Sequence, residues 1–415
     1  MRAGQRDLDI VVYGATGFVG RLTAEYLAKT WPELKVGLAG RSTERLLSAR
    51  RSLGAVAESW PLLTAELDDA SALHAMAART RVVVSTVGPY GRCGLPIVAA
   101  CAETGTDYAD LAGEVPFVRA SIEQCHQRAQ QTGARIVHSC GFDSIPSDLT
   151  VLALHRRVTT DGAGQLGDTT FVLRTYSGGC SSGSLQTMIE LMQVASGDHA
   201  VRRMLDDPYN LSPDRASEPD LGPQPDVEMR SGAEIAPELT GLWTGGYLMA
   251  LYNTRCVRRT NALLGWEYGR LLRYTETLSM GSTLAAPIFA TLSGLTITGA
   301  SHLGGACLKL LPPGLLERMI PSGAGFDQGE RGYYKVETYT TTTDGHRYVA
   351  TMSQQGDPGY SATAALLGVS AHTLAVGRDG LTGLRGVLTP AAAMGDALID
   401  LLPAAGVTLR TARLA

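Results

Sequence analysis

The chain has 415 residues, of which 44% are apolar and 18% are charged, and this is enough for two domains with sizeable cores. A net charge of -4 excludes the strongly basic composition that is typical of nucleic-acid-binding proteins. The seven cysteines include no Cys-x-x-Cys pair, which argues against a zinc site or a disulfide framework, and the polar N-terminal stretch is unlike a secretion signal. We therefore expect a cytoplasmic globular protein without a metal ion.

The first predicted unit is a strand, a glycine turn and a helix. Residues 10–13 are apolar and β-rich, and apolar side chains recur at helical spacing in 21–28. Between them, Gly14, Gly17 and Gly20 allow a tight turn and a close approach of the backbone to a pyrophosphate, which the helix N-terminus attracts. Because strand and helix both flank the glycines, the spacing predicts a dinucleotide site; the alternative is a turn that is merely tight. The residues expected to contact the cofactor in this unit are Gly14, Thr16, Gly17, Phe18, Val19 and Gly20.

The second predicted strand leads into Arg41, and this residue indicates which nucleotide is bound. An NAD site usually has an acidic residue at this point to hold the ribose hydroxyl, whereas Arg41 with Ser42 beside it can bind a 2′-phosphate. We therefore favour NADP(H) over NAD(H); the alternative is that Arg41 is a solvated loop charge. After the third strand, Asp68 either contacts the adenine amino group or is a helix N-cap, a role that Asp69 or Ser71 can also fill.

Strands and helices alternate regularly to about residue 150. The fourth strand ends in Val87, Gly88 and Pro89, and a later strand ends near Asp143. Ligands of doubly wound sheets bind at the carboxyl ends of the strands, so we expect the 87–89 loop to lie along the nicotinamide ribose. The pattern predicts an α/β protein whose residues 1–150 form an NADP-binding Rossmann domain with a doubly wound parallel sheet.

The alternation stops after this point, and residues 151–359 are predicted to form a second, α+β substrate domain. Residues 331–360 alternate like two antiparallel strands around Asp344-Gly345, which indicates a mixed or antiparallel sheet. The Gly/Ser segment 177–184 either holds an anion or a carbonyl oxygen at a helix N-terminus or is a flexible turn. Residues 206–237 carry six of the 19 prolines, which predicts a long surface loop or lid.

Two neighbouring segments of this domain differ sharply in charge. Residues 277–308 contain no Asp, Glu, Lys or Arg, but Pro287, the glycines and the repeated Thr and Ser make them a poor spanning helix, so we expect a buried or half-exposed helical pair. The segment before them is rich in arginine and predicts either a solvated helix face or a basic patch for acidic partners or anionic lipid. The arginines are Arg255, Arg258, Arg259, Arg270 and Arg273.

Six stretches of the chain together resemble one known family. They are "YGATGFVGRLTAEYLA", "LAGRS", "VGPYGRCGLPIVAACAETGTDYADLAGE", "CGFDSIPSDL", "GDPGYSATAALLG" and "GVLTPAAAMGDAL". As a set they are similar to the saccharopine-dehydrogenase-like oxidoreductases and, within that group, to the mycobacterial trans-acting enoyl reductases, over essentially the whole chain. The resemblance implies that residues 360–415, two helices and a strand, fold back on the Rossmann domain.

The resemblance also implies an activity and a partner. The activity is NADPH-dependent reduction of a carbon–carbon double bond in an acyl chain on a polyketide synthase carrier domain, in the synthesis of cell-wall lipids. The arginines would then steer the carrier, and 277–308 would line the path of the acyl chain or touch the membrane surface. Such a reduction needs an oxyanion donor and a proton source. The candidates at strand ends are Tyr90 first, Asp143 and Ser144 second, and more weakly Tyr108, Asp110 and Glu114. Alternatively, Tyr90 packs on the ribose, Asp143 caps a helix, and water supplies the proton.

Two other functions stay open. One is an amino-acid dehydrogenase of the saccharopine type, which needs arginines to clamp carboxylates; Arg174 and Arg255 are available, but the low charge of the second domain argues against it. The other is a catalytically silent NADP(H)-sensing protein on the same scaffold.

Overall fold

The chain forms two units, each with its own seven-stranded sheet. The computed structural model describes residues 6–178, 199–226, 228–283, 286–288, 290–291, 293 and 332–415. The first unit contains Met1–Ile145 and Gly359–Gly406, and the second contains Pro146–Pro358 and Val407–Ala415.

Strands and helices make up most of the described residues. The strands are β1 (Leu8–Tyr13), β2 (Val36–Gly40), β3 (Leu62–Thr64), β4 (Thr80–Ser85), β5 (Asp107–Asp110), β6 (Arg135–Val137), β7 (Leu166–Ser177), β8 (Arg230–Ser231), β9 (Trp243–Gly246), β10 (Arg273–Gly281), β11 (Tyr333–Thr342), β12 (Arg347–Gln355), β13 (Gly386–Leu388) and β14 (Thr408–Arg413). The helices are α1 (Phe18–Thr30), α2 (Thr43–Ser52), α3 (Ala70–Ala78), α4 (Tyr90–Thr104), α5 (Val115–Thr132), α6 (Ile145–Thr160), α7 (His199–Asp206), α8 (Gly232–Ile235), α9 (Ala250–Leu263), α10 (Ser361–Ala375) and α11 (Pro390–Leu401).

The sheet of the first unit is parallel and reverses its order at β1. The order is β13-β6-β5-β4-β1-β2-β3. Ile10, Val11 and Val12 of β1 are all fully buried, as expected for a strand whose two faces are both covered by helices. The reversal between β1 and β4 opens the crevice in which doubly wound sheets bind their ligands. The predicted α/β Rossmann architecture is confirmed.

Helices α10 and α11 belong to this first unit. Thirteen of the 15 residues of α10 are buried, and a Cβ atom on Gly368 would lie 2.4 Å from Cδ1 of Tyr26 in α1. Only glycine lets the two helices approach this closely. The final strand differs, because β14 pairs antiparallel with β12 in the sheet of the second unit. The prediction that all of 360–415 returns to the Rossmann sheet is therefore wrong for β14, which satisfies its backbone hydrogen bonds at the edge that β12 offers.

The sheet of the second unit is mixed, in the order β14-β12-β11-β7-β10-β9-β8. Strands β7 and β10 run parallel, and the other neighbours run antiparallel. The predicted hairpin is confirmed: β11 and β12 pair from Tyr333 opposite Gln355 to Thr341 opposite Arg347. Gly345 adopts φ +80° in the turn, a conformation that glycine tolerates best.

The uncharged run begins as a strand and not as a helix. Residues 277–281 complete β10, where the β-branched Thr277 lies between Val172 of β7 and Gly246 of β9. Helical residues follow at 286–288, 290–291 and 293, and 294–308 lie outside the described residues together with most of the predicted helical pair. Within the described part of the chain, no helix has the length and apolar content needed to cross a bilayer.

Candidate functional site

The glycine turn between β1 and α1 leaves no room for side chains. Gly14 adopts φ +89°, and a Cβ atom on Gly20 would lie 2.2 Å from the carbonyl oxygen of Gly14. Helix α1 begins after Gly17, and no side chain caps this helix. Thr16 and Gly17 are exposed, and Phe18 and Val19 are half-buried. The positive end of the α1 dipole thus opens at a turn that a phosphate can approach closely.

The side chain of Thr86, which the sequence patterns did not single out, contacts the backbone of the glycine turn. Thr86 follows β4, and its Oγ1 lies 3.3 Å from the carbonyl oxygens of both Tyr13 and Gly14. A Cβ atom on Gly14 or Gly20 would come within 2.8 or 2.7 Å of the same hydroxyl oxygen. The signal in the sequence was a threonine directly after an apolar strand, but its meaning depends on β4 lying beside β1.

Arg41 follows β2 directly and is exposed to solvent. In the part of the chain that the structure describes, no carboxylate forms an ion pair with it. Ser42 is the N-cap of α2 and accepts a hydrogen bond from the Arg45 N–H at 3.4 Å. Arg41 therefore presents an unneutralised planar cation at the end of a strand beside β1, which suits a 2′-phosphate.

The neighbouring acidic residues have separate roles. Asp69 is the N-cap of α3, because its Oδ1 accepts the N–H of Ala72 at 2.9 Å. The interpretation of Asp68 as the cap is therefore wrong. Asp68 is exposed, and its contact with adenine stays a prediction.

The loop after β4 leads into α4, whose N-terminus is held by Glu114. The N–H groups of Tyr90 and Gly91 donate to the two carboxylate oxygens of Glu114, each at 2.8 Å. A carboxylate is the favourable partner for this end of a helix. Glu114, which follows β5, thus fixes the exit of the 87–89 loop, and its role in the structure is that of a cap.

Tyr90 lies at the predicted strand end, but its hydroxyl is engaged within the protein. It donates to the carbonyl oxygen of Ser85 at 3.0 Å and accepts from the Leu111 N–H at 3.2 Å. The side chain is buried, and burial, reinforced by Asp110, holds the pKa of Tyr90 well above its usual value. In this arrangement Tyr90 ties β4 to the loop after β5 and offers no proton to a ligand.

Tyr108 and Asp110, two of the weaker candidates, are completely buried in β5. Burial raises the pKa of Tyr108 well above its usual value. Asp110 accepts hydrogen bonds from the loops after β5 and β6. Neither side chain is exposed to a ligand.

Asp143 and Ser144 lie between β6 and α6. Asp143 is half-buried, and desolvation raises the pKa of its carboxyl to about 6. A carboxyl group with this pKa gains and loses a proton close to neutral pH, as a general acid must. Ser144 is buried, and its N–H donates to the carbonyl oxygen of Gly141 at 3.2 Å. Of the predicted catalytic residues, Asp143 has the most suitable chemistry.

The arginines of α9 are buried, so the predicted exposed basic face is wrong. Arg255, Arg258 and Arg259 are each at most 2% exposed. Their guanidinium groups donate to carbonyl oxygens of the end of α7 and the loop after it, and Arg255 also pairs with Asp226 at 2.7 Å. Burial lowers the pKa of Arg258 to about 10. The carbonyl acceptors are those of Leu205 for Arg255, Pro208 for Arg258 and Leu211 for Arg259.

The same loop accounts for the two remaining arginines. Arg270 and Arg273 are exposed, and they donate to the carbonyl oxygens of Ser217 and Leu221. Residues 207–226 contain no helix or strand, as predicted for the proline-rich segment 206–237, but the prediction is wrong at the end of that segment, where β8 and α8 form. The segment is held by arginine–carbonyl hydrogen bonds, which replace the backbone partners that regular structure would supply.

The comparisons with known proteins agree with this geometry. Residues 10–137 match the family model described as "Saccharopine dehydrogenase NADP binding domain". The fold is shared with saccharopine dehydrogenase (L-Glu forming) from Saccharomyces cerevisiae, with a TM-score of 0.55, 16% identity, and coverage of 98% of this chain and 99% of that chain. The chain therefore has the fold of saccharopine dehydrogenase and carries an NADP-binding domain of that type in residues 10–137.

Relatives that match over the full length narrow the family further. A Mycobacterium tuberculosis protein named "Putative trans-acting enoyl reductase Rv2449c" is 57% identical over 418 residues, covering 100% of both chains. Proteins named "Trans-acting enoyl reductase" from Mycobacterium bovis and Mycobacterium leprae are 53% and 52% identical, also over 100% of both chains. This chain belongs to the trans-acting enoyl reductase family, which confirms the predicted resemblance and the predicted NADP(H) cofactor class.

Proposed function

We propose that this protein reduces the carbon–carbon double bond of an enoyl chain, using NADPH and acting in trans on a chain that a polyketide synthase carrier domain holds. The observation that carries the proposal is the identity of 52–57% over the full length to proteins named trans-acting enoyl reductases. The products are long acyl chains for cell-wall lipids.

The residues of the first unit fit the cofactor. A pyrophosphate is held at the start of α1, where the glycine contacts exclude any Cβ atom. Arg41, with Ser42 next to it, would pair with the 2′-phosphate, and Asp68 would contact the adenine. The loop formed by Val87, Gly88 and Pro89 would border the nicotinamide ribose. When bound, NADPH supplies the hydride.

Asp143 supplies the proton that the carbon next to the thioester must gain. Its carboxyl is half-buried and has a pKa of about 6, so the neutral form is available near neutral pH. Ser144 supports the same turn. Tyr90 helps by holding the end of β4, and it donates to substrate only if its hydrogen bond to Ser85 is broken.

Contact with the carrier domain and with a membrane surface is also part of the proposal. The uncharged composition of 277–308 supports a role beside a long acyl chain, either as a lining or as a peripheral membrane contact. Long-range steering by the arginines of α9 is no longer supported, since these side chains are buried.

The alternative of an amino-acid dehydrogenase is weakened by two ion pairs. Arg174 pairs with Glu337 at 2.8 Å, and Arg255 pairs with Asp226 at 2.7 Å. Both arginines that could clamp substrate carboxylates are therefore already neutralised within the protein.

A substrate panel tests the proposal. NADPH oxidation is followed with a long-chain 2-enoyl thioester and with no second substrate, and NADP+ reduction is followed with a saccharopine-type amino acid. We expect NADPH oxidation with the enoyl thioester and no reaction in the other two samples. NADP+ reduction by the amino acid would favour the dehydrogenase, and tight NADPH binding without turnover on any substrate would favour the sensing protein.

A further inference from the structure

A buried line of three polar side chains lies behind the turn that carries Asp143. Asp110 and Ser121 are completely buried, and His138 is 2% exposed. Oδ2 of Asp110 lies 2.7 Å from Nδ1 of His138, and Nε2 of His138 lies 2.8 Å from Oγ of Ser121. With the imidazole neutral and its proton on Nδ1, His138 donates from Nδ1 to Asp110 and accepts at Nε2 from Ser121.

The other carboxylate oxygen of Asp110, Oδ1, accepts hydrogen bonds from backbone N–H groups. Oδ1 accepts the N–H of Ala112 and the N–H of Ser139, each at 3.0 Å, and the carbonyl oxygen of Asp110 accepts the N–H of Cys140 at 2.7 Å. One residue at the end of β5 thus fixes the loops after both β5 and β6. Ser139 needs this support, because it adopts φ +68°, a conformation that costs about 1 kcal/mol for a residue other than glycine.

The turn between Ser139 and Asp143 is closely packed on its other side as well. The N–H of Phe142 donates to Oγ1 of Thr363 at 3.1 Å. A Cβ atom on Gly141 would lie 2.6 Å from Cδ2 of Leu111. The chain from Ser139 to Phe142 therefore has little freedom once Asp110 is in place, and Asp143 is the next residue.

We infer that Asp110, oriented by His138, is a positioning residue that sets the place of the Asp143 carboxyl without touching substrate. The inference rests on the proposed function, in which Asp143 gives up the proton. A displacement of about 1 Å at a reacting group can cost on the order of 100-fold in rate. The hydrogen bonds from Asp110 to the backbone that leads to Asp143 therefore control kcat.

The test compares Asp110→Ala with Asp110→Asn. Alanine removes every hydrogen bond that the Asp110 side chain accepts. We expect kcat to fall about 100-fold while the Kd for NADPH changes less than about threefold. Asparagine keeps an oxygen for the Ala112 and Ser139 N–H groups. Its amide donates to His138, which then changes tautomer and carries its proton on Nε2 toward Ser121. We therefore expect kcat within about threefold of wild type for Asp110→Asn.

Ser121→Ala is the matched control, because it removes the last bond of the line and leaves the bonds from Asp110 to Ser139 intact. It should retain wild-type kcat. Nitrogen NMR of His138 reports the tautomer, and amide hydrogen exchange at Ala112 and Ser139 reports the hydrogen bonds to the Asp110 side chain. Exchange should be fast in Asp110→Ala and slow in the other two variants.

Wild-type kcat in a folded Asp110→Ala variant would overturn the inference. An Asp110→Asn variant that has lost activity, or in which His138 keeps the wild-type tautomer, would also overturn the inference. The Asp110→Asn result tests the inference even if Asp110→Ala does not fold. The exchange and NMR measurements use no substrate. If wild type reduces no enoyl thioester, the proposed function fails, while these two measurements still decide whether Asp110 holds the turn.

Discussion

At the scale of single residues, we expect Arg41 to decide between NADPH and NADH. Under the proposed function, Arg41→Asp would replace a cation that pairs with the 2′-phosphate by an anion that repels it. A charged hydrogen bond to phosphate contributes about 1.5–3 kcal/mol, so we expect the Kd for NADPH to rise roughly 100-fold and that for NADH to change less than about threefold. Fluorescence titration of both nucleotides measures the two values.

Arg51→Asp is the control for this prediction. Arg51 is exposed in the last turn of α2, so the variant makes the same charge change at the far end of the same helix. It should leave both affinities unchanged. An equal loss of NADPH and NADH affinity in Arg41→Asp would contradict the assignment of the 2′-phosphate.

If Asp143 is the proton donor, kcat/KM should depend on pH in a specific way. The desolvated carboxyl has its pKa raised to about 6, and only the neutral form can donate. If proton transfer limits the rate, kcat/KM should be constant below pH 6 and should fall about tenfold per pH unit above it. Asp143→Asn should be slower and should lose this limb. An unchanged pH profile in the variant would show that another group or water supplies the proton.

At the scale of elements, the strand–turn–helix unit at the start of the chain depends on Gly20. In Gly20→Ala the new Cβ atom would lie 2.2 Å from the carbonyl oxygen of Gly14, so the turn must open. We expect NADPH affinity to be lost and the free energy of unfolding to fall by about 1–3 kcal/mol. Gly383→Ala is the control, because no atom lies within 4 Å of a Cβ at that position. Wild-type NADPH binding by Gly20→Ala would contradict this account of the turn.

The elements that sequence patterns predicted well are those whose cause is local. The glycine turn and the β11–β12 hairpin each follow from residues that are close together in the chain. The environment of α9 could not be predicted in this way. Three arginines in one helix normally indicate a solvated face, and their burial depends on carbonyl oxygens about 50 residues earlier, at the end of α7 and in the loop after it.

The same distinction explains the site. Gly14, Gly17, Gly20 and Arg41 follow directly from strand ends, so their positions could be predicted. Tyr90 was predicted at the end of a strand, whereas β4 ends at Ser85 and Tyr90 is the first residue of α4. The partner of its hydroxyl is the carbonyl oxygen of Ser85, which no spacing in the sequence indicates. Thr86 was missed because its contact with the glycine turn exists only once β1 and β4 lie side by side.

At the scale of the whole molecule, stability should depend on pH through Glu276. This side chain of β10 is fully buried, and it accepts hydrogen bonds from Tyr274 and Asn253 at 2.8 and 3.0 Å. Desolvation raises its pKa from 4.5 to about 7. Between these values the folded protein keeps a proton that the unfolded chain has released. The free energy of unfolding therefore falls as pH rises from about 4.5 to 7, by up to about 3 kcal/mol.

Glu276→Gln tests this contribution, because glutamine stays neutral at every pH. The variant should lose this part of the decrease in unfolding free energy between pH 5 and pH 8, as measured by chemical denaturation. Glu234→Gln, at an exposed glutamate of the same unit, should keep the wild-type dependence. A wild-type pH dependence in Glu276→Gln would mean that Glu276 is not the group that titrates.

In the proposed reaction, a hydride passes from NADPH to the β-carbon of an enoyl chain on a polyketide synthase carrier domain. The most direct measurement uses NADPH that carries deuterium at the transferred position and an enoyl chain attached to an isolated polyketide synthase carrier domain. We predict a saturated chain with one deuterium on its β-carbon, the carbon of the former double bond that is farther from the thioester. Mass spectrometry of the released acyl group identifies this product. An unchanged double bond, in a sample whose NADPH is shown to be bound, would contradict it.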